Sequence, residues 1–280
     1  MANKTPPPTV ASAAANPVVR ESRETIAGLA RGLAVIRAFS VGGPFCTLTE
    51  IANIAGLSAA AARRCLHTLE DLGYAGRKGR QFFLRARVLD LSAAYLDSIN
   101  GDTLAREHLQ GITAATGQSA SLAVLDGGDI VYLARIGPRR IVRVEASVGM
   151  RYPAYATSLG RVLLAGLPDA DLDAYLRDTE FQKLTARTTV DPAQLRELIV
   201  AAREEGYALV EDELAIGVLS LATPVHDRAG AVIASINCSA QTGELTKKEL
   251  KRHLPLLLAT ARHISDSLSR YPALLSLASR

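Results

Sequence analysis

The most informative stretch of this 280-residue sequence is Leu57-Ser-Ala-Ala-Ala-Ala-Arg-Arg-Cys-Leu-His-Thr-Leu-Glu-Asp-Leu-Gly-Tyr74. Ser58 is a favourable N-cap residue and Gly73 a favourable terminator, so the stretch predicts a helix from Ser58 to about Leu72. At about 100° per residue, one face of this helix is apolar and should be buried. Its members are Ala62, Cys65, Leu66, Leu69 and Leu72. The opposite face carries Ala60, Arg63, Arg64, His67 and Asp71.

The flanking segments predict the elements around this helix. A helical apolar pattern from Leu29 to Phe39 ends at Gly42-Gly43-Pro44. Thr47 or Thr49 can cap a short second helix, which Gly56 ends. After Tyr74, two short extended runs flank Lys78-Gly79-Arg80 and predict a hairpin. Helix, helix, tight glycine turn, helix and hairpin is the order of a winged helix-turn-helix, which we place at residues 23–86.

Charge is distributed unevenly along the chain. The net charge is +4, but residues 1–90 hold 12 Lys/Arg against 6 Asp/Glu, and the rest of the chain is slightly acidic. A basic first third on a nearly neutral body indicates nucleic-acid binding by that third alone. On charge alone, a solvated basic face would explain the count equally well.

Combined with the helix order, the charge predicts a DNA-binding surface. Arg63, Arg64 and His67 would read bases in the major groove, where an arginine can donate two hydrogen bonds to one guanine. Small residues such as Ala60 let the backbone approach closely, and the hydroxyls of Ser58 and Thr68 can donate to phosphates. The hairpin residues Arg77, Lys78 and Arg80 would form a basic wing over phosphates or an adjacent minor groove.

Composition excludes several classes of protein. The three cysteines are widely spaced and form no CxxC pair, which argues against a disulfide framework and a structural zinc site. No apolar run is long enough for a membrane span, and residues 1–22, rich in Pro and Ala, are predicted to be a disordered arm rather than a signal sequence. We therefore expect a cytoplasmic protein without a membrane partner. Gly-x-Ser-x-Gly, His-Glu-x-x-His and a phosphate-binding glycine loop are absent, so we predict no catalytic site, no metal and no cofactor.

The remaining residues predict a linker helix and a second domain. Apolar spacing from Val88 to Ile99 indicates a helix, so we assign residues 87–100 to a linker and 101–275 to the second domain. That domain is α+β, with a mainly antiparallel sheet and helices packed on it. Helices are predicted at 102–116, 157–165, 169–176 and 192–205, and strands at 121–125, 130–135, 141–145, 209–211, 218–225 and 231–238. A long last helix begins near Thr246, and Pro255 should kink or interrupt it.

Several motifs together resemble the IclR family of one-component transcriptional regulators, and more narrowly its PcaR/PobR subgroup, which responds to aromatic acids. The resemblance spans about residues 25–275 and includes the stretch quoted above. Its other motifs are Leu29-Ala-Arg-Gly-Leu-Ala-Val-Ile36, Arg87-Val-Leu-Asp-Leu91, Gly149-Met-Arg-Tyr-Pro-Ala-Tyr-Ala-Thr-Ser-Leu-Gly-Arg-Val-Leu-Leu-Ala165, Gly206-Tyr207 and Glu211-Asp-Glu-Leu-Ala-Ile-Gly217.

This resemblance implies a GAF-like effector-binding second domain, a double-stranded DNA operator, and a homodimer or homotetramer. It implies a small organic acid as effector, for example 4-hydroxybenzoate or protocatechuate. One departure stands out, because Leu219 lies where the subgroup usually has arginine. If that arginine contacts the usual ligand, the ligand or its pose differs here.

The effector site can be drawn partly from the residues themselves. Thr157 can cap the helix that follows it, which leaves the backbone N–H groups of Ser158 and Leu159 available to a carboxylate. Asn237 and Ser239 share one side of their strand. The positions that the resemblance assigns to the effector are Ser158, Leu159, Val210, Ser220, Asn237 and Ser239.

The apolar wall that an aromatic ring needs could come from Val144, Tyr152 and Tyr155. Alternatively, the two tyrosines are ordinary core aromatics and Asn237 satisfies backbone groups. Two other functions also stay open at this stage. One is an enzyme tethered through its first domain, and the other is a nucleoid-type protein that binds DNA without sequence preference.

Overall fold

The computed structural model describes residues 25–93, 101–138 and 148–268. Residues 25–93 form one compact unit, and the described residues from 101 onward form a second. The predicted arm (1–22), the second half of the predicted linker (94–100 of 87–100) and the predicted strand at 141–145 lie outside the described residues. Within the linker, a short 3-10 turn at Ala86–Val88 leads into helical residues 89–93.

The first unit contains the predicted helices and hairpin. The helices are α1 (Ala27–Gly42), α2 (Leu48–Ala55) and α3 (Ala59–Asp71). Thr47, rather than Thr49, caps α2 in a capping box with Glu50, and Gly56 ends it with a positive φ of 66°. The helices pack on a small core that includes Val35, Ile51 and Leu66.

The wing of the first unit is a three-stranded sheet. The predicted hairpin is β2 (Ala75–Lys78) and β3 (Gln81–Leu84), turning at Gly79. A two-residue strand, β1 (Cys46–Thr47), pairs with β3 and was not predicted from the sequence. Leu72 was wrongly placed on the buried face of α3, since it lies just past the helix end and is 53% exposed.

The second unit is built on one antiparallel sheet whose strand order is β6-β5-β4-β9-β8-β7. Its strands are β4 (Ser119–Asp126), β5 (Asp129–Ile136), β6 (Arg151–Pro153), β7 (Ala208–Glu211), β8 (Val218–His226) and β9 (Val232–Gln241). The loop at Gly127-Gly128 joins β4 to β5 as predicted. Strand β6, at the edge of the sheet, was not predicted.

Helices cover both faces of this sheet. On one face lie α4 (Gly101–Thr116) and α9 (Leu254–Leu268), which share a core cluster with alternate residues of the strands. On the other face lie α5 (Ser158–Ala165), α6 (Asp169–Asp178) and α7 (Pro192–Glu205). The fold is therefore α+β, as predicted.

The predicted long last helix is two helices. Thr246 caps the short α8 (Lys247–Lys251) through a capping box with Glu249, and α9 begins afresh at Leu254. Pro255 is the second residue of α9, a position that tolerates proline because its missing N–H has no acceptor inside the helix. Among the described helices, none is long and apolar enough to cross a membrane.

Candidate functional site

Helix α3 presents the predicted base-reading side chains to solvent. Arg63, Arg64 and His67 are exposed, as is Ala60, while Ala62 and Leu66 on the other face are fully buried. The amphipathic pattern fixes this orientation, because rotating the helix would bury both arginines. His67 Nδ1 lies 3.4 Å from Glu70 Oε2, which holds the imidazole near the helix surface.

The two predicted phosphate donors on α3 differ in their bonding. Ser58 Oγ accepts a hydrogen bond from the Ala61 N–H at 3.2 Å, so its hydroxyl hydrogen is left for a phosphate. Thr68 Oγ1 instead donates to the Arg64 carbonyl at 3.0 Å. The Thr68 hydroxyl would have to give up that bond to reach a phosphate, which makes it a poorer donor than the sequence suggested.

The hairpin beside α3 is basic and exposed. Arg77, Lys78 and Arg80 are all exposed around Gly79, whose φ of 62° suits glycine in a tight turn. The first unit thus combines an arginine-bearing helix with a basic wing.

A cavity lies in the second unit between the sheet and the start of α5. It has about 350 Å³ of empty space, counting the space at its mouth. Its lining consists of Tyr132, Ala156, Thr157, Ser158, Leu159, Val210, Glu213, Leu214, Val218, Ser220, Asn237 and Ser239. The structure therefore brings together seven of the ten residues proposed for the effector site, namely Thr157, Ser158, Leu159, Val210, Ser220, Asn237 and Ser239.

The first turn of α5 points unpaired donors at this cavity. Thr157 Oγ1 caps the helix by accepting a hydrogen bond from the Gly160 N–H at 2.9 Å. The N–H groups of Ser158 and Leu159 belong to the first two helical residues, so they have no acceptor within the helix. Together with the helix dipole, they form a site suited to an anion.

A short hydrogen-bond network connects α5 to the sheet beside these donors. Ser158 Oγ donates to Ser220 Oγ at 2.7 Å, and Asn237 Nδ2 donates to the same oxygen at 2.9 Å. Because Ser220 Oγ accepts both bonds, its own hydrogen can donate toward the cavity. All three side chains are at least nine-tenths buried, so the network is shielded from water.

A buried ion pair closes one side of the cavity. Arg161 Nη2 lies 2.6 Å from Glu213 Oε2, and the same carboxylate oxygen accepts the Thr189 N–H at 2.9 Å. Arg161 Nε also donates to the Tyr155 carbonyl. Sequence reasoning missed this pair, although Arg161 is the one charged residue in the otherwise apolar α5, which was the available signal.

The aromatic wall differs from the prediction. Tyr132 of β5 lines the cavity, and burial raises the pKa of its hydroxyl to about 12, which keeps it protonated. Tyr152 does not line the cavity but packs edge-to-face on Tyr132, with ring centroids 5.8 Å apart. Tyr155 is a core residue, since its ring packs on Phe181 and its hydroxyl donates to the Gln182 carbonyl at 2.9 Å. Val144 lies outside the described residues.

Two family models cover most of the chain. Residues 93–266 match the one described as "Bacterial transcriptional regulator IclR C-terminal", and residues 28–79 match the "IclR helix-turn-helix domain". The chain belongs to the IclR family. Its first unit is therefore the DNA-binding domain of an IclR-family regulator, and its second unit is the effector-binding domain.

Individual relatives agree with this assignment. The Pca regulon regulatory protein of Pseudomonas putida is 42% identical over 86% of this chain and 83% of its own length. A crystal structure of a putative transcriptional regulator from Rhodococcus sp. RHA1 is 41% identical, with a TM-score of 0.77, and covers 88% of this chain and 99% of its own. The inducer-binding domain of the Acinetobacter PobR transcription factor, a double mutant in complex with 3-hydroxybenzoic acid, is 33% identical. Its TM-score is 0.55, and it covers 58% of this chain and 96% of its own.

Leu219 does not face the cavity. It is the position at which this IclR-family chain departs from the subgroup pattern. Leu219 is fully buried in the core cluster under α4 and α9, on the opposite face of the sheet from Ser220. The expectation that Leu219 bears on the ligand is therefore not supported by its position. Within the described ranges, no group of three or more His, Cys, Asp or Glu side chains could hold a metal ion.

Proposed function

We propose that this IclR-family protein is a regulator whose affinity for operator DNA changes when a small aromatic carboxylic acid, such as 4-hydroxybenzoate or protocatechuate, fills the cavity of the second unit. One observation carries the proposal. Ser158, Leu159 and Ser220 line the same cavity, and the N–H groups of the first two and the hydroxyl of the third can all donate to a carboxylate.

The rest of the cavity suits the remainder of such a molecule. Tyr132, Val210 and Leu214 supply the aromatic and aliphatic surface that an aromatic ring needs. The relatives also support an aromatic-acid ligand, because one is a Pca regulon regulatory protein and another was crystallised with 3-hydroxybenzoic acid. A carboxylate held by backbone donors at a helix N-terminus requires no arginine, which is consistent with Leu219 lying elsewhere.

For DNA binding, we propose that Arg63, Arg64 and His67 contact bases while the wing and the Ser58 hydroxyl contact phosphates. A homodimer would set two copies of α3 about 34 Å apart, or a multiple of that, on a pseudo-palindromic site. The ligand can change DNA affinity only if it binds two conformations of the protein with different affinities.

Fluorescence anisotropy at fixed physiological salt tests this function. The purified chain is titrated onto the DNA upstream of its own gene and onto scrambled DNA, with and without a panel of aromatic acids. We expect a preference for the upstream DNA that one acid changes. Ligand-blind, equal binding to both DNAs would favour the nucleoid-type alternative, and turnover of an acid by the pure protein would favour the enzyme.

Two variants sharpen the test. Arg64→Ala should lower affinity for the upstream DNA by roughly 5- to 100-fold, the range of one lost bidentate base contact. Arg228→Ala, which removes an exposed arginine from the second unit, is the matched control and should leave that affinity unchanged. Unchanged binding by Arg64→Ala would contradict the role of α3 in DNA binding.

A second variant tests the cavity. Asn237→Asp places a carboxylate next to Ser220 in the proposed anion site, so calorimetry should show acid binding weakened at least tenfold.

A further inference from the structure

Polar side chains form a row across three adjacent strands, on the face of the sheet that carries the cavity. Asn237 of β9 and Ser121 of β4 are Cα partners across the sheet, and Ser121 is in turn the partner of Arg135 of β5. Directly opposed residues in an antiparallel sheet project to the same face. Since Asn237 lines the cavity, Ser121 and Arg135 lie on the cavity face of the sheet as well.

Two atoms of this row are buried without a hydrogen-bond partner among the described residues. They are Ser121 Oγ and Asn237 Oδ1, on side chains that are 0% and 3% exposed. The amide nitrogen of Asn237 is already committed to Ser220, so Oδ1 is the atom left to accept a bond. Native proteins rarely leave buried polar atoms unpaired, so adjacent unpaired atoms beside a cavity point to a group that arrives with the ligand.

The chemistry of the row defines that group. Asn237 Oδ1 can only accept, so the arriving group must carry a hydrogen to donate. On the other side, Ser121 can donate, and the half-buried Arg135 brings a positive charge near the row. Burial raises the pKa of the Tyr132 and Tyr152 hydroxyls, and this charge offsets part of that rise. A group that faces Arg135 should therefore also accept. A hydroxyl does both, whereas a carboxylate offers no hydrogen to Oδ1 and an unsubstituted ring offers neither.

We propose that Ser121 and Asn237, with Arg135 beside them, form a subsite that recognises a hydroxyl substituent on the ring of the effector. This inference rests on the proposed function, because it assumes that the carboxylate of the acid sits at the N-terminus of α5. Ser121 is the residue that this inference adds to the proposed site. It does not line the open cavity, and only the far end of a bound ring would reach it. The subsite selects hydroxybenzoates over benzoate and over benzene dicarboxylates.

Calorimetry on the full chain with 4-hydroxybenzoate, benzoate and terephthalate tests the subsite. The wild-type protein should bind 4-hydroxybenzoate about tenfold more tightly than benzoate, which is the value of one good buried hydrogen bond, and terephthalate no more tightly than benzoate. Ser121→Ala should reduce the preference for 4-hydroxybenzoate to about threefold or less. The affinity of the variant for benzoate should stay within about twofold of the wild-type value. This binding also shows that the variant is folded.

Thr223→Val is the matched control. The Thr223 hydroxyl is also buried without a hydrogen-bond partner among the described residues, but its cross-strand neighbour Ile236 belongs to the cluster on the opposite face of the sheet. This variant should leave the affinities for all three acids unchanged.

The outcomes separate the subsite from the proposed function. If the wild-type protein binds benzoate and 4-hydroxybenzoate equally, or if Ser121→Ala keeps the tenfold preference, the subsite is wrong and the acid-binding function stands. If Ser121→Ala weakens both acids equally, Ser121 has a structural role and the subsite is again wrong. If the wild-type protein binds none of these three acids, and no acid of the anisotropy panel changes its affinity for DNA, the proposed function fails and the subsite with it.

Discussion

Replacing Gly160 with alanine should damage the effector-binding unit at the point where we propose that it holds its ligand. A Cβ atom built on Gly160 would lie 2.1 Å from the Ala154 carbonyl oxygen and 2.4 Å from the Ala154 Cα. Both atoms belong to the backbone of the 3-10 turn that leads into α5, so neither can move away by a change of rotamer. The contact is almost an ångström shorter than the 3.0 Å below which real Cβ contacts essentially never occur.

The expected loss of stability follows from this geometry. Overpacking against side chains typically costs about 1–3 kcal/mol, and here the whole first turn of α5 must shift because backbone blocks the methyl group. We therefore expect a loss of about 3 kcal/mol or more, a large share of the roughly 5–15 kcal/mol that stabilises a typical domain. Because the same turn carries the N–H groups of Ser158 and Leu159, acid binding should be lost even where the variant stays folded.

Urea unfolding followed by circular dichroism measures the stability, and calorimetry measures the binding. Gly111→Ala is the matched control, since Gly111 lies on the exposed face of α4 with no atom within 4 Å of a new Cβ. That change should be neutral or stabilise the protein by up to about 1 kcal/mol. A loss of less than about 1 kcal/mol in Gly160→Ala, with acid binding intact, would refute the close approach of α5 to the 3-10 turn.

Two further perturbations test the walls of the cavity. Arg161→Met leaves the buried Glu213 carboxylate without its cation and should cost about 3–5 kcal/mol in urea unfolding, whereas the double change Arg161→Met/Glu213→Leu should recover most of that loss. Equal losses in the single and double variants would contradict the pairing. Tyr132 has a pKa raised by burial to about 12, so above pH 10 the unfolded chain releases this proton while the folded chain keeps it. Tyr132 should therefore contribute up to about 3 kcal/mol to the fall in stability between pH 10 and pH 12, and Tyr132→Phe should reduce the fall by that amount. The fall that remains comes from other tyrosines whose pKa burial raises, such as Tyr175. An identical pH profile in the variant would contradict the burial of the Tyr132 hydroxyl.

Local chemistry made the DNA-binding unit largely predictable from the sequence. Ser58 and Gly73 mark the ends of α3, and the apolar spacing between them fixes which face carries the arginines. Strand β1 was not predictable in this way, because two residues carry no periodicity and the strand exists only through its pairing with β3. The exposure of Leu72 was missed for a related reason, since a helical wheel assumes that the helix continues to the residue in question.

The cavity was predictable where it depends on strand alternation and capping, and unpredictable where it depends on distant pairs. The Thr157 cap and the shared strand face of Asn237 and Ser239 follow from local rules, whereas the assignment of the serine and asparagine positions to the effector came from the family resemblance. The pairing of Arg161 with Glu213 joins residues 52 positions apart, and no periodic signal links them. Tyr132 and Tyr155 illustrate the same limit, because both are buried tyrosines, yet Tyr132 lines the cavity while Tyr155 packs on Phe181.

Leu219 shows how position in the sheet changes the meaning of a substitution. In the sequence it adjoins Ser220, and its departure from the subgroup pattern suggested an altered ligand. In the sheet, neighbours along a strand face opposite sides, so the contact of Ser220 with Ser158 commits Leu219 to the face packed by α4 and α9. An arginine placed there would need a partner within or at the edge of that helix layer. Residue 219 therefore packs under the helices at the back of the sheet, on the face opposite the cavity in which we propose that the ligand binds.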